Sequence, residues 1–225
     1  MKGKINKNEF SLNSFDAVIF DMDGVLVNSE PHYIQLEQNR FNELGLTILE
    51  DEHKTYQGTA TDRMWQIIKE KHGVEASVEE LVNRTNAKVS AYFTALESIE
   101  VMTGVEQFIK KLKEKNISIA LASSSHAELI EIILEKSHLQ MYFDVVVDSR
   151  MAGASKPEPD IFLLAAKKLD VTPKRCVVIE DSTNGIKAAK TANMYCIAYA
   201  GPGSELQDQS QADLIISDFR ELLKF

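Results

Sequence analysis

The sequence has little cysteine, little proline, one tryptophan and no long apolar run, and each shortage removes a class of explanation. Two cysteines in 225 residues cannot build a disulfide framework. Cys176 and Cys196 each sit inside an apolar run, RCVVIE and YCIAYA, so reduced thiols in adjacent buried strands are expected. No apolar run approaches the roughly 20 residues that a membrane-spanning helix needs. The opening segment, MKGKINKNEFSLNSF, has lysines but not the apolar centre of a signal peptide. A soluble, cytoplasmic chain is expected, with Lys2, Lys4 and Lys7 in a disordered, solvated start. Basic charge is also short. Lysine and arginine number 25 against 34 aspartates and glutamates, a net charge of −9, which argues against a nucleic-acid or anionic-membrane partner. A local basic pocket for a small anion stays open. His32, His53, His72, His126 and His138 show no metal-like pairing and are expected at the surface.

What is present is apolar substance in a strict rhythm. At 44% hydrophobic residues the chain can bury the core of one large or two modest domains. Five short β-branched runs read as strands, at 16–21, 117–123, 143–148, 176–181 and 195–200, with a sixth, an edge strand, at 212–217. They are runs, not alternations, as strands covered on both faces of a parallel sheet should be. Helical patterns at 104–116, 126–139, 160–170 and 183–193 separate them. That alternation predicts a doubly wound α/β core with a parallel sheet. Residues from about Pro31 to about Val101 break it, offering helical patterns at 31–44, 62–72 and 77–97. An all-α, four-helix-like second domain over 30–100 is expected, inserted into a core made of 1–29 and 101–225, with hinges near 27–31 and 98–103. Trp65, spaced helically with Ile68, is expected to pack inside it.

Ligands of open α/β sheets sit at the carboxyl ends of the strands. Asp21 and Asp23 stand there after the first strand, Ser123, Ser124 and Ser125 after the second, and Glu180 and Asp181 after the fourth, with Lys156 on the connection between the third and fourth strands. Crowded carboxylates repel unless a cation lies among them, and an all-oxygen set favours Mg²⁺ where a phosphate adds further oxygens. The serines can donate to phosphoryl oxygens and Lys156 can supply positive charge. Gly24 lets the backbone bend past the site. Phosphoryl transfer through a carboxylate follows. Asp21 suits the attack on phosphorus, at a near-normal pKa held by metal and Lys156. Asp23 suits protonation of the leaving oxygen and activation of water.

DMDGVLVNSE, LASSS, SKPEPD and VIEDSTNGI together resemble the four signature motifs of the haloacid dehalogenase-like superfamily, in order and at its spacing. The helical insert resembles the type-1 cap of the subgroup that includes β-phosphoglucomutase and many sugar-phosphate phosphatases. The resemblance implies a Rossmann-like core and Mg²⁺. It implies Asp21 as nucleophile, Asp23 as acid/base with its main-chain carbonyl on the metal, Ser123 and Lys156 on the phosphoryl group, and Asp181 with Glu180 at the metal. Glu180 could instead orient water or Lys156. An acid at Asp23 is what phosphatases and phosphomutases need and a carbon–halogen hydrolase does not. The cap departs from the mutases: their histidine position falls on Tyr33, with His32 one residue early, and their arginine position on Thr61, with Arg63 two residues later. Lys88 does align with a mutase lysine, so Arg63 and Lys88 are kept as candidate substrate contacts, beside Gly24, Ser123, Ser124 and Lys156. Asn28 stands where relatives commonly carry aspartate. The expected activity is hydrolysis of a small phosphomonoester, a sugar phosphate foremost, with the cap closing over the site. The alternatives are a β-phosphoglucomutase-type mutase, an inorganic pyrophosphatase and a non-catalytic binding protein. The expected assembly is a monomer or weak homodimer.

Overall fold

The computed structural model describes residues 10–56 and 59–225. The lysines at 2, 4 and 7 lie outside the described residues. Six strands form one parallel sheet: β1 (Ala17–Phe20), β2 (Ser118–Ala122), β3 (Val145–Val147), β4 (Cys176–Glu180), β5 (Tyr195–Tyr199) and β6 (Leu214–Ile216). Their order is β3-β2-β1-β4-β5-β6, so β6 is an edge as expected and β1 lies centrally between β2 and β4. The order reverses direction at the β1/β4 junction, where doubly wound sheets place their ligands.

The apolar runs become strands because both faces are covered. Ala17, Ile19, Val178, Cys196 and Ala198 face a core with Ile161, Phe162 and Ala165 of α7 (Asp160–Lys168) and Ile186 and Ala189 of α8 (Thr183–Thr191). On the other face Phe20 meets Phe108 of α5 (Val105–Glu114) and Phe219 of the C-terminal 3-10 turn, with ring centroids 6.2 and 6.4 Å apart. Helix α6 (Ala127–Lys136) buries Leu129, Ile130, Ile133 and Leu134. Cys176 and Cys196 are buried, free thiols on neighbouring strands, and burial raises the pKa of both.

The chain divides into two compact units, Met1–Asn28 with Ser98–Phe225, and Ser29–Glu97. The second holds α1 (Glu30–Glu43), α2 (Glu50–Lys54), α3 (Thr61–His72) and α4 (Val78–Ala95). Phe41, Tyr56, Met64, Trp65, Ile68 and Leu81 form its core. Trp65 is wholly buried and its indole N–H donates to Thr85 Oγ1 at 2.9 Å, which is the packing role expected of it. Ser77 caps α4 by accepting from Glu80 N, and Gly73, at φ +69, ends α3 in the left-handed region that other residues avoid. Helix α2 has no counterpart among the predicted segments, since five residues are too short to show a helical period. His138 is exposed as expected, but other histidines depart from the surface expectation. His53 is buried against Glu37 at 2.7 Å, and His72 is half-buried against Glu52 at 2.6 Å. Each imidazole finds a carboxylate because a buried polar ring needs one. Among the described residues, no helix is long and apolar enough to cross a membrane.

Candidate active site

The first motif turns at the end of β1. Asp21 N donates to Ile179 O of β4 at 3.0 Å, extending the ladder one step and placing the Asp21 carboxylate at the junction of the two central strands. The chain then curls: Val25, Leu26 and Val27 N all donate to Met22 O, and Met22, Val25, Leu26 and Val27 are buried. Gly24 sits at φ +75, and a Cβ there would lie 2.4 Å from Asp181 Oδ2. Only glycine allows the first motif to pass so close to the acid that follows β4.

Lys156 ties the strand ends together. Its ammonium donates to Asp21 Oδ1 at 2.5 Å, to Glu180 Oε1 at 2.7 Å and to Ala122 O at 3.3 Å, and it lies 4.9 Å from the Phe162 ring centroid. All three donors of the lysine are spent on protein acceptors. The side chains of Lys156, Asp21 and Glu180 are only 7%, 10% and 1% exposed, so this is a buried ion triad. Burial opposes the charge on Lys156, yet Asp21 and Glu180 more than reverse it and keep the ammonium protonated. Asp21 behaves otherwise. Burial drives its carboxyl upward, Lys156 pulls it back, and Glu180 and Asp23 add to the rise. The near-normal pKa expected of Asp21 is therefore not what the protein groups alone provide, because burial outweighs the pull of Lys156 and the neighbouring acids add to it.

Asp181 completes the excess of negative charge. Burial raises its carboxyl well above the ordinary range, and Glu180 and Asp21 push it further. Glu180 plays a different part from its neighbours. Its Oε2 accepts from Asp181 N at 2.9 Å, Ser182 N at 2.9 Å and Ser182 Oγ at 3.0 Å, while Oε1 takes Lys156. Three of these four donors fall on Oε2 and one on Oε1, so the Glu180 carboxylate is held from its own turn and by Lys156 with one lone-pair site of Oε1 left over. Gly185 lies directly beneath: a Cβ there would come within 1.7 Å of Glu180 Oε1. Ser182 Oγ also accepts from Gly185 N at 3.1 Å and so caps α8.

The serine cluster separates into three roles. Ser123 is buried, its N–H continues the sheet to Val147 O at 3.1 Å, and its Oγ accepts from Ser125 N at 3.1 Å. Ser124 is exposed. Ser125, left off the candidate set, donates from Oγ to Asp23 Oδ2 at 3.1 Å and so holds the expected acid/base. The signal for it was its place in the LASSS cluster, where a serine two residues past a strand can reach the neighbouring strand's turn.

The cation fit can be judged on these atoms. Among the described residues, no three His, Cys, Asp or Glu side chains form a ready-made metal cage. Of the expected metal set Asp21, Asp23, Glu180 and Asp181, the Glu180 carboxylate carries four donors and the Asp23 carboxylate takes Ser125, Asp23 being expected at the metal through its main-chain carbonyl. What remains is Asp21 and Asp181, two crowded oxygen donors short of positive charge beside a Gly24 cradle. That suits a small hard divalent ion whose other positions are filled by main-chain oxygen, water and substrate. Arg63 and Lys88 belong to the other unit, Ser29–Glu97. Arg63 is exposed on the first turn of α3, and Lys88 on α4 is ion-paired with Glu43, which also takes Arg40 at 3.0 Å. Asn28 Oδ1 is buried without a hydrogen-bond partner.

The sequence matches the model of the haloacid dehalogenase-like hydrolases over residues 18–199. It is 34% identical to a phosphorylated carbohydrates phosphatase of Thermotoga maritima, over 80% of this chain and 82% of that one. It is 31% identical to the β-phosphoglucomutase of Bacillus subtilis, over 92% of this chain and 91% of that one. Among solved structures, a mutant of CbbY from Rhodobacter sphaeroides in complex with xylulose-(1,5)bisphosphate superposes with a TM-score of 0.83 at 25% identity, over 92% and 96% of the two chains. The chain belongs to the haloacid dehalogenase-like hydrolases, in their β-phosphoglucomutase-like group, and is an enzyme of that family.

Proposed function

We infer that the chain is a Mg²⁺-dependent phosphatase that hydrolyses a small phosphomonoester, a sugar phosphate foremost, through phosphorylation of Asp21. The observation that carries the reading is the buried Asp21–Lys156–Glu180 triad beside a Ser125-held Asp23: one carboxylate oriented by a fixed cation, a second oriented by a hydroxyl. Lys156 holds Asp21 Oδ1, which leaves Oδ2 to attack phosphorus while the ester P–O bond breaks. Asp23, protonated, gives its proton to the departing oxygen. As a carboxylate it then takes a proton from water, whose oxygen attacks the same phosphorus and frees Asp21 and phosphate. Ser123 and Lys156 meet the phosphoryl oxygens; the long 3.3 Å bond from Lys156 to Ala122 O is the one an incoming oxygen would replace. Asp21, Asp181 and the Asp23 main-chain carbonyl would hold Mg²⁺, which supplies charge neutralisation for an anionic substrate meeting a carboxylate nucleophile.

The cap sequence supports hydrolysis over mutase action, since Tyr33 and Thr61 stand where the mutases place histidine and arginine. The test is a phosphate-release screen over sugar phosphates, nucleotides and pyrophosphate, run beside a coupled assay for isomerisation of β-glucose 1-phosphate. Phosphate release without isomerisation, silenced by EDTA and restored by Mg²⁺, is expected. Isomerisation without net release would make the chain a mutase, and indifference to chelation would remove the metal.

A further inference from the structure

We propose that Gln209 is a positioning residue that fixes Asp181 for cation binding, as part of a strap formed by the loop between β5 and β6. Gln209 Nε2 donates to Asp181 O at 2.8 Å and to Tyr199 O at 3.0 Å, so both hydrogens of one amide nitrogen go to carbonyls at the ends of adjoining strands. Two residues earlier, Gln207 Oε1 accepts from Thr183 N at 3.0 Å, and Thr183 Oγ1 in turn accepts from Asp208 N at 2.7 Å. Segment 181–183 is thus held to the loop through Asp181 O, Thr183 N and Thr183 Oγ1, and by Glu180 Oε2 and Ser182 Oγ from its own chain.

The consequence falls on one residue. Asp181 N is fixed by Glu180 Oε2 and Asp181 O by Gln209, so both polar groups of its backbone are pinned and with them the direction of its Cα–Cβ bond. Leu206 within the strap is 63% exposed, and Ala212 near its end packs against the core. The strap's attachment at Gln207, Asp208 and Gln209 is polar and is aimed at the strand ends that carry the site. Loss of a group that orients a metal ligand typically costs about 10–100-fold in affinity for the ion or in activity.

The inference rests on the reading that Asp181 helps hold a divalent cation, and the experiment separates the two. Mg²⁺ alone is titrated calorimetrically into the wild-type protein and into Gln209→Met, which keeps the side chain's length and loses its donors. The expected result is wild-type binding and an about tenfold weaker dissociation constant in the variant, with KM for the phosphomonoester unchanged at saturating Mg²⁺. A variant that melts at a lower temperature in EDTA yet binds Mg²⁺ as the wild type does would show a merely structural glutamine and overturn the proposal. Thr183→Val, a milder loosening of the same strap, carries the test should Gln209→Met not fold: a weakening of Mg²⁺ binding supports the strap and unchanged affinity overturns it. Failure of the wild type to bind Mg²⁺ would overturn the metal reading itself.

Discussion

A lysine buried between two carboxylates is stable only while the set is complete. Replacing Lys156 by methionine preserves most of its volume but leaves Asp21 and Glu180 buried together without their cation. Breaking a buried pair from one side costs about 3–5 kcal/mol, so Lys156→Met should lower the urea midpoint by that equivalent; an unchanged midpoint would mean that the triad does not hold the site. Ser125→Ala removes one hydroxyl from Asp23, and loss of one hydrogen bond to a charged group should cost about tenfold in kcat with little change in folding stability. A rate equal to wild type would release Ser125 from that role. Asp21, Asp23 and Lys156 stood out in the sequence because acids and a lysine at the ends of apolar strands need a reason to be there. The Ser125–Asp23 bond spans 102 positions, and three of the four Glu180 donors are main-chain and hydroxyl groups of its own turn, so neither leaves a pattern in the composition or the period of the chain.

At the scale of elements, the strands were legible since each is a run of β-branched and small apolar residues covered on both faces, and their observed bounds fall inside the expected ones. Helix α2 was not, and what fixes it is tertiary. Glu52 on α2 accepts from His72 at the end of α3 and from Tyr56, and pairs with Lys71 at 3.0 Å. The hydrogen bond from His72 is foremost in pulling the Glu52 carboxyl from 4.5 to about 2, with those from Tyr56 and Lys71 adding to it. A carboxyl whose pKa is lowered by folding stabilises the fold above its unfolded pKa and loses that contribution as pH falls through its folded pKa. The four-helix unit should therefore lose stability between pH 4.5 and 2. Urea midpoints followed across that window should fall more steeply for the wild type than for Glu52→Gln; parallel curves would show that the α2–α3 pairing contributes nothing.

For the whole molecule, the chemistry is concentrated where one sheet changes direction. Four segments far apart in sequence, at 21–24, 123–125, 156 and 180–182, meet at the carboxyl ends of β1, β2 and β4. Topology alone brings them there, which is why four short motifs could be read as one site before any coordinates. The identity of the substrate was not legible in the same way. Arg63 is exposed on α3 and Lys88 pairs with Glu43 at the surface of its own unit, so the spacing of these residues in the sequence does not say which phosphorylated compound they would meet. In the proposed mechanism phosphorus passes through Asp21. The measurement that addresses it most directly is steady-state phosphate release by Asp21→Asn beside wild type, in saturating Mg²⁺, on the best substrate of the screen. The amide keeps the shape and loses the nucleophile, so turnover should fall by about a thousandfold or more while the circular dichroism spectrum is retained. A correctly folded Asp21→Asn variant that releases phosphate at the wild-type rate would contradict the mechanism.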